Sequence, residues 1–297
     1  MAKLNDIRKR IQGINTTSKI TQAMKLVATA RIQRQKTSFL ELSKFVSNLY
    51  TLLKNLSKNV DFNEVFNVKN IKSKDDLYVV ITSSLGLCGP YNINVCKHAM
   101  SLIKENDKII VVGERGYDYL KNHDLQKQII SKYNVGNDSR NYIEIAPLTL
   151  MITEAFKKGK YKSVHLIYTK YKNSLSFEPV DLQILPFDQS MFNPEANDNK
   201  NQQQSELNEN NQIIETLSKR STIIKNFISF IVGSVIISAL DESRLAEYSS
   251  RRNAMESATD NAKEIIEELK QKYNQARQEK ITQEINEIIA GSGELKG

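Results

Sequence analysis

Apolar residues recur along the first sixty positions in alternating steps of three and four: Leu4, Ile7, Ile11 and Ile14, then Ala28, Ile32, Phe39, Leu42, Val46, Leu49, Leu53, Leu56 and Val60. Thirteen of the 17 positions on that grid are apolar, which lays one narrow stripe along a helix. Apart from Gln35 the gaps are Ser18, Thr21 and Lys25, beside a shifted stripe of Ile20, Met24 and Val27 that predicts a local rotation of the seam. One helix of about 55 residues follows, roughly 80 Å long at 1.5 Å per residue. No globular core of this size needs such a helix for itself.

The last third has the same character, from near Ile213 through Phe227, Ile228, Ile231, Val235, Leu245, Met255, Ala258, Ala262, Ile265, Leu269, Tyr273 and Ala276 to Ile281, Ile285 and Ile288. Proline is absent there, and Gly291-Ser292-Gly293 predicts the stop. Each seam must be covered, so residues 1–60 and 213–291 are expected to pair as an antiparallel coiled coil. The C-terminal helix is longer by about 20 residues, so its end should run on alone for roughly 30 Å.

Between them, short apolar runs at Leu77 to Thr82, Lys108 to Val112, Val164 to Tyr168 and Val180 to Leu185 alternate with helical patterns at Tyr91 to Ile103, Gly116 to Asn122 and Pro147 to Lys158. Continuously apolar strands in strand, helix, strand order predict a mostly parallel sheet covered on both faces. The expected fold class is thus a long antiparallel coiled coil of N- and C-terminal helices with an inserted Rossmann-like α/β domain at residues 75–188. Residues 189–212, with 12 Asn or Gln among 24 positions, have little to bury and are expected to form a flexible surface insertion.

Composition adds few constraints: 40% apolar and 26% charged residues describe an ordinary water-soluble protein. No signal-peptide-like run follows the basic N-terminus, which points to the cytoplasm. The uncharged stretch from Asn226 to Leu240 is shorter than the roughly 20 apolar residues of a membrane span, so it is expected to be a buried helix segment. Cys88 and Cys96 form no ligand pattern, and with His98 they read as reduced thiols with no metal. Charge is more telling: residues 1–40 hold nine Lys or Arg against Asp6 alone, while the remainder is neutral. Such a helix points to an acidic partner, which composition leaves open among nucleic acid, an anionic membrane surface and an acidic protein loop. No aromatic precedes Phe39 to stack on bases, so a protein partner is favoured over nucleic acid.

Catalysis finds no apparatus. Gly86 to Gly89 and Gly113 to Gly116 are isolated GxxG turns, neither GxGxxG nor a phosphate loop, and are expected to be tight strand-to-helix turns. His98, His123 and His165 lie in unrelated segments, and Asp75 and Asp76 read as a solvated strand entry.

Certain strings are specific. Ile7-Arg8 through Thr17, Lys19-Ile20-Thr21-Gln22-Ala23-Met24-Lys25-Leu26-Val27-Ala28, Gly86-Leu87-Cys88-Gly89-Pro90-Tyr91-Asn92, Ala254-Met255, Ala258-Thr259-Asp260-Asn261-Ala262, Tyr273-Asn274, Ala276-Arg277-Gln278 and Ile281-Thr282-Gln283-Glu284-Ile285 together resemble the gamma subunit of F-type ATP synthases over nearly the whole chain. The resemblance implies a non-catalytic central rotor shaft, without cofactor, that couples rotation to the conformational cycle of catalytic beta subunits. It implies a hetero-oligomer with alpha and beta subunits, an epsilon-type subunit and the membrane ring of c subunits, on the cytoplasmic face of the cell membrane. By the same resemblance Lys19, Met24, Lys25 and Arg31 face acidic levers of beta. Arg251, Arg277, Gln278, Thr282 and Glu284 are further partner contacts, and Ile285 and Ile288, with Ile281 and Ile289, form an apolar tip. Gly86, Leu87, Cys88 and Gly89 make the turn of the foot domain. Ser84 and Leu85 replace the family's usual Asp-Arg, Ala246 a usual serine and Arg252 a commonly apolar residue. The alternatives are the same shaft in an F-type-like ATPase not coupled to a proton-driven c ring, and a coiled-coil scaffold.

Overall fold

A computed structural model of the chain describes residues 2–57, 73–134, 142–186 and 220–294. The Asn/Gln-rich stretch 189–212, residues 58–60 and residues 213–219 lie outside them. Helix α1 spans Ala2–Ser57, and strand β1 (Leu77–Ile81) leads into α2 (Tyr91–Leu102). There follow β2 (Lys108–Val112), α3 (Glu114–Lys121), β3 (Ile129–Tyr133), α4 (Tyr142–Lys157), β4 (Val164–Tyr171), β5 (Phe177–Leu185) and α5 (Arg220–Glu294). No described helix is long and apolar enough to cross a membrane. The expected stop at Gly291 fails: α5 continues through both glycines to Glu294, because glycine costs a helix only about 1 kcal/mol and does not force an end.

The described chain divides into two compact units, Ile32–Ser250 and Met1–Arg31 with Arg251–Gly297. In the first, the sheet order is β3-β2-β1-β4-β5, with β3, β2, β1 and β4 parallel and β5 antiparallel to β4. Alternation along β1 sends Leu77, Val79 and Ile81 to one face and Tyr78 and Val80 to the other. The first face packs on Ile145, Leu148, Ile152 and Phe156 of α4 and on Ile231, Val232, Val235, Ile236, Ala239 and Leu240 of α5. Of the apolar stretch Asn226 to Leu240, expected to be buried, the part from Ile231 to Leu240 supplies core residues, whereas Phe227 and Phe230 are 45% and 39% exposed. The second face packs on Val95, Cys96 and Ala99 of α2 and on Leu120 of α3.

β3 is absent from the sequence expectation. Its residues alternate half-buried and exposed because it is a sheet edge, and Ser131 and Lys132 interrupt the apolar run that marked the inner strands. α4 begins five residues before Pro147, which sits inside it.

Within this unit α1 and α5 run antiparallel. Ile32 packs with Leu245 and Tyr248, and Ser38 donates to the buried Asp241 carboxylate at 2.9 Å.

Candidate functional site

In the other unit the expected seam holds its line without rotating. Ser18 and Lys25 are half-buried and Thr21 is buried, whereas Ile20 and Val27 are each 55% exposed. Two of these polar side chains, Thr21 and Lys25, stay inward because they find partners on α5. The Thr21 and Thr259 hydroxyls lie 2.7 Å apart, and Lys25 Nζ donates to Glu256 Oε1 at 2.7 Å. Lys25 holds the Glu256 carboxyl below the usual carboxylate range, with help from Arg252.

On α5 the inward residues are Met255, Thr259, Ala262, Ile266 and Leu269; Ile265, expected in the seam, is 42% exposed. Strict alternation of steps of four and three from Met255 reaches Thr259 and Ile266, so the signal was present. Thr259 and Ile266 are absent from the seam expected along this helix, and Glu256 from the expected site residues.

Beyond Lys280, residues 281–289 are all exposed, with Ile281 at 48%, Ile285 at 50%, Ile288 at 71% and Ile289 at 62%. α5 thus runs on past its pairing with α1, as its extra length predicted. Arg277, Gln278, Thr282 and Glu284 are exposed on the same stretch, Glu284 accepting from Lys280 at 3.2 Å. Lys19 and Arg31 are exposed and Met24 is half-buried. Arg31 and Arg251 have interactions within the chain, and Arg251 is buried.

The turn Gly86, Leu87, Cys88, Gly89 lies in the sheet unit, and its conformation is demanding. Gly89 and Leu87 both have positive φ, at 56° and 61°, the latter a left-handed state that leucine adopts at a cost. Asn92 holds the turn: its side chain accepts from the Ser83 N–H at 2.9 Å and donates to Cys88 Sγ at 3.2 Å. Helix α5 then closes over it. Ser250 Oγ donates to the Cys88 carbonyl at 2.7 Å, the Tyr91 hydroxyl meets Ser243 Oγ at 2.9 Å, and Ala246 is buried against Cys88 and Tyr91. Ser243 also accepts from the Thr169 N–H at 3.3 Å, and Glu242 from the Tyr171 N–H at 3.1 Å.

These bonds place α5 across the carboxyl ends of β1 and β4, the crevice where open α/β sheets bind ligands. Tyr91, Ser243, Arg244 and Glu247 line what remains, a cavity of about 20 Å³, enough for one water. Burial, with Glu247 nearby, pushes the Tyr91 hydroxyl well above the ordinary tyrosine range. The GxxG pair Gly113 and Gly116 is explained by packing: a Cβ at either would overlap Thr82, whose hydroxyl accepts from the Gly116 N–H at 3.0 Å. Cys88 and Cys96 are buried and form no disulfide, and burial raises the Cys96 thiol to about 12. Among the described residues no group of His, Cys, Asp and Glu could hold a metal ion.

Comparison with known proteins identifies the architecture. The profile of the family described as ATP synthase matches residues 3–295. The ATP synthase gamma chain of Mycoplasma mobile is 36% identical over 301 residues, covering 98% of this chain and 99% of its own length. The chain belongs to the ATP synthase gamma-chain family. The gamma chain of Malacoplasma penetrans is 34% identical over 294 residues, 98% of this chain and 99% of that one.

Solved structures share the fold: the rotor of Euglena gracilis mitochondrial ATP synthase aligns with a TM-score of 0.66 at 20% identity, covering 94% of this chain and 99% of that one. A second Euglena gracilis structure, of the OSCP/F1/c-ring assembly, aligns with a TM-score of 0.69 at 20% identity, over 99% of this chain and 95% of that one. The family's role is that of the central rotor shaft of an F-type ATP synthase, a subunit that is itself non-catalytic.

Proposed function

We propose that this chain is the rotor shaft of an F-type ATPase, turning inside a ring of alpha and beta chains and performing no chemistry of its own. The observation that carries this reading is the exposed end of α5, where Ile281, Ile285, Ile288 and Ile289 stand in water beyond the reach of α1. Apolar surface gains about 25 cal/mol per Å² when covered, so such a tip wants a sleeve. Isoleucines make no directional bonds and therefore let the tip turn within it. Arg277 and Gln278, about a turn before Ile281, and Thr282 and Glu284, between Ile281 and Ile285, are polar and can bond differently to each of three identical beta sites. An asymmetric shaft so placed gives each site a different nucleotide affinity, and rotation exchanges the three roles.

The Gly86 to Gly89 turn belongs to the foot, which would meet an epsilon-type chain and the c ring on the cytoplasmic face of the membrane. That the ligand crevice of the α/β domain is filled by α5 supports a foot without catalysis.

Reconstitution tests this reading. Alpha and beta chains with the full chain should form a complex of sustained ATPase activity, and a chain ending at Lys280 should bind yet support several-fold less. Equal activity with and without the full chain would refute the proposal, as would ATP turnover by the chain alone.

A further inference from the structure

Nine cations against one acid in residues 1–40 call for an acidic partner surface, yet one of the cations placed to meet it is already engaged. Lys25 Nζ lies 2.7 Å from Glu256 Oε1, with the side chains 36% and 44% exposed. An ion pair so open to water holds its members weakly. Both ends can be released without opening the helix pair, because the Thr21 to Thr259 hydroxyl contact, one turn away and buried, does not involve the charges. Release also leaves Glu256 compensated. Arg252 lies close enough to act on its carboxyl, and Arg252 Nε has no hydrogen-bond partner among the described residues. Asp260, the other acid beside Glu256, is bonded to Lys263 at 2.9 Å and acts on Lys25 through charge alone.

We propose that Lys25 is an exchangeable contact: Glu256 holds it in the free shaft and yields it to a carboxylate of the acidic protein partner, while Arg252 takes its place beside Glu256. The inference rests on the rotor reading, in which that partner is the ring of alpha and beta chains. Glu256 becomes a residue that tunes binding without touching the partner.

The test titrates the full chain into alpha and beta chains and reads the concentration giving half-maximal complex formation, at low and high salt. Lys25→Gln should weaken binding about threefold or more at low salt, and Glu256→Gln, nearly the same shape, should tighten it by a similar factor. Both effects should shrink as salt screens the charges. Arg252→Leu should weaken binding when Glu256 is present and have no effect in the Glu256→Gln background. Lys25→Arg should retain wild-type affinity, and an unchanged melting curve for each variant guards against misfolding. Weakening by Lys25→Gln with no tightening by Glu256→Gln would overturn the exchange and leave the rotor reading intact. No effect of Lys25→Gln at low salt would remove the acidic contact itself, and the exchange with it.

Discussion

A single residue, Thr82, decides what two glycines are for: its carbonyl oxygen crowds Gly113 and its hydroxyl crowds Gly116. Thr82 Oγ1 donates to the Val112 carbonyl at 2.9 Å and accepts from the Gly116 N–H at 3.0 Å, so no side chain can enter between β1 and the start of α3. Gly116→Ala should therefore destabilise the fold by about 2 kcal/mol or more through overpacking. Gly13 is the opposite case, with nothing within 4 Å of a built Cβ and a position inside α1. Gly13→Ala should stabilise by about 0.5–1 kcal/mol through helix propensity and a less disordered unfolded chain. Denaturant titration of the two variants checks both signs, and equal effects would contradict the packing account. The GxxG spacing was readable as a tight turn from sequence alone. The partner that makes the turn obligatory, 34 residues earlier in the chain, was not, because pairing of β1 with β2 is a tertiary fact.

At the scale of elements, both long helices, the three inner strands and the edge strand β5 were legible because apolar residues recurred with one clear period or in short runs. The edge strand β3 escaped because Ser131 and Lys132 break its apolar run after two residues. The seam of α1 was misread where it turned polar: Ser18, Thr21 and Lys25 stay inward because Thr259 and Glu256 answer the latter two from α5, and no one-helix pattern reveals that. On α5 the same kind of error put Ile265 inward in place of its neighbour. Ile266 is 8% exposed and Ile265 is 42% exposed. Ile266→Ala should cost about 2–4 kcal/mol, whereas Ile265→Ala should cost less than about 1 kcal/mol. Loss of helix signal in denaturant measures the pair, and the reverse order would mean that the seam lies on the other side of the helix.

For the molecule as a whole, the division of labour follows from where charge and apolar surface remain uncovered. Lys19 and Arg34 are exposed on α1, away from its seam, while Lys25 is tied to Glu256 and so belongs partly to the helix pair. Reversing Lys19 and Arg34 to Glu should leave folding and the apolar tip untouched. It should lower the torque transmitted at low salt, with recovery as salt shortens the screening length to a few ångströms. Including Lys25 in the reversal would confuse the result, because Glu at 25 would face Glu256.

The central claim is that the chain turns. It is tested most directly by fixing alpha and beta chains to a surface, attaching a bead to an exposed site on the sheet unit, and recording its orientation as ATP is added. The account predicts continuous rotation in one direction, in three equal steps per turn, lost when the chain ends at Lys280. A bead that stays fixed while the complex hydrolyses ATP at full rate would contradict it.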